Sequence, residues 1–136
     1  MNKINKVIIE ALEKAKELIS KPENWTKNTE ARNRNDFPTD YTNPEAYKFC
    51  IIGSVQYALY QMDKNHTFQR ETLRKIQNKI NEKEEEIIKE YNKNTKYNLQ
   101  NFAIFNDHPK TTHKQILQLL NDTIEAFSKE KGDNHE

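Results

Sequence analysis

Three places in this chain hold residue types that could do chemistry. Cys50, the only cysteine, stands one helical turn before Gly53, which is one of two glycines. A cysteine nucleophile needs a lowered thiol pKa, supplied by a histidine or a helix N-terminus. The periodicity puts Cys50 about two turns inside a helix, too deep for a strong dipole effect, so its default role is a small buried apolar residue. Asn106-Asp107-His108, with His113 five residues further on, is the second place. His108 or His113 could reach Cys50 in space, and Cys50, His108 and Asp107 are the catalytic candidates. A zinc site needs three or four ligands at recognisable spacing, and only Asp107, His108 and His113 cluster here. No metal and no cofactor is therefore expected. Asn and Asp also bond nearby backbone and set turns. Between these readings lies a third, in which Asp107 pins the Trp25–Tyr41 loop by accepting from Arg32 or from the Trp25 indole. The last place is that loop itself, where Lys27, Arg32 and Arg34 are interleaved with Trp25, Phe37 and Tyr41. Basic and aromatic residues mixed in this way suit an anionic ligand such as a nucleotide or a single strand.

The elements that must position these residues read as helices. Ile4, Val7, Ile8, Leu12, Ala15 and Leu18/Ile19 recur at three- and four-residue steps and predict a first helix over about Lys3–Ile19. Ser20-Lys21-Pro22 stops it. Asn24–Thr42 carries no sustained period and reads as a long ordered loop, with Glu30-Ala31-Arg32 as a candidate helical turn. Asn43, Pro44 and Glu45 look like the cap and first turn of a second helix running to about Met62. Gly53 sits inside that apolar helix at a cost of about 1 kcal/mol relative to alanine. It is expected where the Trp25 loop or the last helix touches the central helix. Thr67 caps a third helix whose charged middle, Asn81–Glu90, fits one long helix or two meeting near Asn81. Leu99–Phe105 fits a helical turn or a short strand. Thr112-x-x-Gln115 predicts a capping box for a last helix lined by Ile116, Leu119, Leu120, Ile124 and Phe127. Gly132 lies near its end. The expected fold is an all-α single domain of four to five helices over residues 1–130, followed by a mobile tail over 131–136.

Bulk properties narrow the function classes. The 136 residues include 22 basic and 21 acidic side chains, a net charge of +1, with 34% hydrophobic and 32% charged residues. Mean hydropathy is −1.11. Lys and Glu alternate along the helices, as on solvated faces laced with i,i+4 pairs. This provides no concentrated basic footprint for duplex nucleic acid. A single cysteine excludes an internal disulfide, and no long apolar run suggests a membrane span. A cytoplasmic location is the expectation. Glycine-rich phosphate loops, a serine elbow and a His-Glu-x-x-His segment are all absent.

The order of the punctuating residues resembles a known family. A helix ending in Leu18-Ile19 leads to Pro22, Trp25 and Ala31. Pro44-x-Ala46 then precedes Cys50-x-x-Gly53-Ser54, and Phe105-Asn106-Asp107 and Thr112 open the last helix. Together these resemble a domain of unknown function found in short bacterial and phage proteins, whose pattern is Trp, Ala, Cys-x-x-Gly-Ala, Asn-Asp and Thr. Ser54 replaces the commoner alanine, and the loop after Ala31 lacks the family's glycine. The resemblance directs attention to Trp25, Cys50, Gly53, Asn106 and Asp107, and implies no reaction. The expected function is a small non-enzymatic binding or interaction protein, in a phage or mobile-element setting. Its expected site lies at Trp25, Arg32, Cys50, Gly53, Asn106 and Asp107, with a protein or small anionic ligand as partner. The alternatives are a Cys50-dependent enzyme and a nucleic-acid or nucleotide binder using residues 27–34.

Overall fold

A computed structural model of the chain describes residues 3–62, 69–94, 106–107 and 111–130. Helix α1 spans Lys3–Leu18, and its buried Asn5, Ile8, Ala11, Leu12 and Ala15 trace one stripe. A short 3₁₀ turn, Pro22–Asn24, follows. Three two-residue strands come next: β1 Ala31–Arg32, β2 Pro38–Thr39 and β3 Lys48–Phe49. The remaining helices are α2 Ile51–Met62, α3 Gln69–Asn94 and α4 His113–Ser128. One core joins them, built from Ile8, Leu12 and Ile19, from Ile51, Val55 and Leu59, from Ile76 and Ile80, and from Ile116, Leu119, Leu120 and Phe127.

The expected all-α class is therefore corrected. The described residues form four helices and one three-stranded antiparallel sheet of order β2-β1-β3. Ala31 pairs with Thr39 on one side and Phe49 on the other. Trp25 adds a parallel bridge to Phe49. The segment expected to be a long ordered loop thus satisfies its backbone through a small sheet laid on the helices, and Glu30-Ala31-Arg32 is extended rather than helical. Its turns use asparagine and aspartate where glycine is missing. Asn28 and Asp36 both take φ near 69°, a left-handed conformation that these two residue types tolerate best after glycine. The Asn33 side chain accepts from the Asn35 and Phe37 amides and closes the β1–β2 turn.

The second helix starts seven residues later than its cap-like signals suggest. Asn43 Oδ1 does accept the Glu45 amide at 2.8 Å, but as an Asx turn and not a helix cap. The chain then extends. Tyr47 donates its amide to the Arg32 carbonyl, and Cys50 donates to the Glu30 carbonyl at 3.1 Å. Pairing with β1 outweighs local helix preference here, as tertiary contacts often do. Cys50 consequently stands immediately before α2. Its Sγ accepts the Gly53 amide at 3.2 Å and its carbonyl accepts the Ser54 amide, the two bonds of an N-cap residue.

The charged middle of α3 is one continuous helix. Glu84 is 1% exposed on its apolar stripe, and its Oε2 has no hydrogen-bond partner among the described residues. Burial, helped by Glu85, pushes its carboxyl up to about 8. It is therefore mostly protonated at neutral pH, the form an apolar setting favours. At the far end of the core, Glu130 accepts from Asn5 at 3.1 Å and pairs with Lys79 at 3.3 Å, tying the start of α1 to α3 and the end of α4. Thr112 and Gln115 form the reciprocal capping box that opens α4. Thr67, Leu99–Phe105, His66, His108, His135, Gly132 and the tail lie outside the described residues.

Gly53 faces the loop backbone. A Cβ there would overlap the Glu30 carbonyl oxygen and stand 3.0 Å from the Glu30 carbonyl carbon. Both obstacles are main-chain atoms, so either the loop or α2 would have to move. Gly53→Ala gains helix propensity of about 1 kcal/mol yet should lose about 1–3 kcal/mol net through overpacking. Urea denaturation checks this, and a variant as stable as the parent would mean the contact is not made.

Candidate functional site

The polar residues singled out in the sequence meet at the N-terminus of α2. Asn106 is 2% exposed. Its Oδ1 accepts the Trp25 indole N–H at 3.0 Å and the Ile51 amide at 3.1 Å. Its Nδ2 donates to the Thr26 carbonyl at 3.2 Å and to Asp107 Oδ1 at 2.9 Å. The amide's two acceptor positions and two donors are thus all used. Asp107 Oδ1 also accepts the Asn28 amide at 2.8 Å, at the residue whose left-handed φ turns the loop. Asp107 does pin the loop, but through Asn28; the indole goes to Asn106 instead.

Trp25 is half-buried against the core. His113 lies 5.9 Å away, ring to ring, and the Lys27 ammonium sits 5.2 Å from the indole centroid. His113 Nε2 is 2.6 Å from the Ile19 carbonyl oxygen. Since a carbonyl only accepts, that nitrogen carries the proton and donates. His113 is therefore bonded to backbone where α1 ends.

The basic side chains of the loop are tied to neighbouring groups. Arg32 donates from Nε to Thr26 Oγ1 at 2.8 Å and from its terminal nitrogens to the Asp36 and Lys27 carbonyls. Lys27 donates to the Thr111 carbonyl at 3.0 Å. Burial lowers the Lys27 pKa, and the Asp107 carboxylate partly offsets it. Arg34 stacks over the Tyr47 ring at 4.2 Å. These cations hold the loop's shape more than they display charge.

Cys50 has a position suited to activation and surroundings that oppose it. The Gly53 and Ile52 amides favour the thiolate. Burial outweighs them, the Asp107 and Glu30 carboxylates add to it, and the thiol is pushed up to about 11. A thiol in this state is a poor nucleophile at neutral pH. Cys50, Asn28, Glu30, Ile52, Asn106 and Asp107 border a small cavity of about 220 Å³. Among the described residues no group of three or more His, Cys, Asp or Glu side chains could hold a metal ion.

A larger space lies on the other side of β3. A cleft of about 550 Å³ runs between α1 and α2, with Tyr47, Phe49 and Tyr57 among its walls. Phe49 and Tyr57 form a ring pair at 5.2 Å. Lys14 and Glu17 of α1, Asn24 of the 3₁₀ turn and Gln61 of α2 bring polar groups to it. Sequence reasoning missed this site. The sequence places Tyr47 in the second helix, whereas in the structure it precedes β3, with the Arg34 guanidinium over its ring. The available signal was the Tyr-x-Phe spacing of a strand, Tyr47 and Phe49 on one face.

Fold and site together define a small, mostly helical α/β domain. A sheet-bearing loop is clamped to its central helix by a buried asparagine, and an aromatic-walled cleft lies beside the clamp. The chain belongs to DUF6197, a family of unknown function, which it matches over residues 5–126. No curated protein and no solved structure matches it. No helix among the described residues is long and apolar enough to cross a membrane.

Removing the clamp should be costly. Asn106→Ala leaves the Trp25 indole and the Ile51 amide without their acceptor, and an unsatisfied buried group costs roughly 1–3 kcal/mol. The variant should lose at least about 2 kcal/mol in chemical denaturation. A loss below about 0.5 kcal/mol, within the range of ordinary surface substitutions, would mean these bonds are replaceable.

Proposed function

We propose that this protein is a non-enzymatic binding protein that takes a small ligand in the cleft between α1 and α2. The carrying observation is the cleft itself, about 550 Å³ and walled by Tyr47, Phe49 and Tyr57. Its volume falls within the usual range for small-molecule sites, roughly 300–1,000 Å³, and so does its mixture of aromatic walls and a few polar groups. The Asn106 clamp supports the same reading indirectly. It fixes the loop that leads into β3, and β3 forms one wall of the cleft. A rigid wall lowers the ordering cost of binding.

Cys50 and His113 support binding better than reaction. Cys50 is held as a thiol, and His113 is bonded to the Ile19 carbonyl. Arg32 bonds within the loop and Lys27 donates to the Thr111 carbonyl, which weighs against a nucleic-acid surface at residues 27–34. The bacterial and phage setting belongs to this proposal and rests on the sequence resemblance alone.

Gln61 is an exposed position of α2 on the cleft, so Gln61→Trp should fill the cleft without disturbing the core. A fragment library screened by saturation-transfer NMR should yield ligands for the parent protein. Those ligands should lose their signal with Gln61→Trp at unchanged thermal stability. Ligands that bind both forms equally, or a screen with none, would overturn the reading.

A further inference from the structure

We infer that the ligand of the α1–α2 cleft is an aromatic zwitterion, the chemistry of a free aromatic amino acid. This rests on the binding reading above and narrows it to one ligand class. Lys14 and Glu17 are the charged side chains among the described residues lining the cleft. They stand three residues apart on α1, a spacing that places two side chains on one helix face. The same Lys-to-Glu spacing closes into ion pairs on α3. Lys79 meets Glu82 at 3.0 Å and Lys83 meets Glu86 at 3.5 Å. Lys14 and Glu17 make no such pair, and neither side chain has a hydrogen-bond or ion-pair partner among the described residues. Among the described residues, an unpaired cation and an unpaired anion therefore line the same cavity.

That arrangement selects on charge. A ligand bearing only an anionic group, such as a mononucleotide, gains Lys14 and meets Glu17. A ligand bearing only an amine meets the reverse. A zwitterion satisfies both, its carboxylate toward Lys14 and its ammonium toward Glu17. The apolar remainder of the cleft asks for a ring. Phe49 and Tyr57 are already tilted at 41° with centroids 5.2 Å apart, and a third ring can join such a cluster in an offset or edge-to-face arrangement. Asn24 spends one donor on the Tyr47 carbonyl at 3.0 Å, which holds that wall in place. A cleft of about 550 Å³ holds one such molecule with its water.

The probes are phenylalanine, phenylalaninamide (no carboxylate), 3-phenylpropionate (no ammonium) and adenosine monophosphate, each titrated into the full chain at millimolar concentration by ligand-observed NMR. Phenylalanine should bind tightest. Each one-charge analogue should bind about two- to fivefold more weakly, the scale of an exposed ion pair. Lys14→Met should erase the difference between phenylalanine and phenylalaninamide, and Glu17→Gln the difference between phenylalanine and 3-phenylpropionate. Both positions are exposed on α1, so the fold should tolerate the changes. Analogues that bind as well as phenylalanine, or a nucleotide that binds better, overturn the ligand class. If Gln61→Trp blocks those same molecules, the binding reading survives that failure. No binding by phenylalanine overturns the zwitterion outright.

Discussion

The structure depends on one buried side-chain amide. Asn106 lies between the loop after α1 and the first turn of α2 and bonds both. Its oxygen accepts from Trp25 and from the Ile51 amide, while its nitrogen donates to Thr26 and Asp107. Only asparagine or glutamine carries both an acceptor for two and donors for two on one planar group. An aspartate could accept but not donate, and a leucine would leave all four partners unsatisfied. Each bond contributes a net of about 1 kcal/mol, but leaving the buried partners unmet costs more than forming the bonds gains.

Much of the local geometry follows from that clamp. Holding Trp25 brings Thr26 to Phe49, and the Thr26 amide donates to the Phe49 carbonyl at 3.0 Å. The loop then crosses α2 so closely that Glu30 lies against Gly53, where a Cβ would collide. Ala31 is fully buried beneath the same crossing. Arg32 reaches back to Thr26 and holds the Lys27 and Asp36 carbonyls from one guanidinium. Asp107 fixes the Asn28 turn. The small sheet is thus secured by side chains at both ends, which compensates for strands of only two residues each, too short to be stable alone.

How much of this was legible depended on whether the signal was local. Helix α1 and the Thr112–Gln115 box were readable, because periodicity and capping chemistry lie within a few residues of each other. The close approach at Gly53 was readable too, since a glycine in an apolar helix asks for an explanation. The sheet was not. Ala31, Thr39 and Phe49 pair across gaps of eight and eighteen residues, and nothing in a two-residue strand shows a period. Asn43-Pro44-Glu45 misled because asparagine caps turns as readily as helices. That error carried Cys50 two turns too deep, whereas it precedes α2 and caps it through sulfur. In the candidate site, Asn106 and Asp107 were visible as unusual polar residues. The partner each would choose was a matter of tertiary distance, and so was the gap between α1 and α2 that makes the cleft.

Trp25 is the only tryptophan, so its indole N–H produces a single resolved signal in a nitrogen–proton spectrum. Hydrogen–deuterium exchange at that signal tests the clamp without altering the protein. A bond to a buried asparagine that the fold depends on should open only when the fold opens. The indole should therefore exchange as slowly as the most protected amides of α2 and α4. Exchange at the rate of a free indole would contradict the account, because the loop would then be held by something other than Asn106.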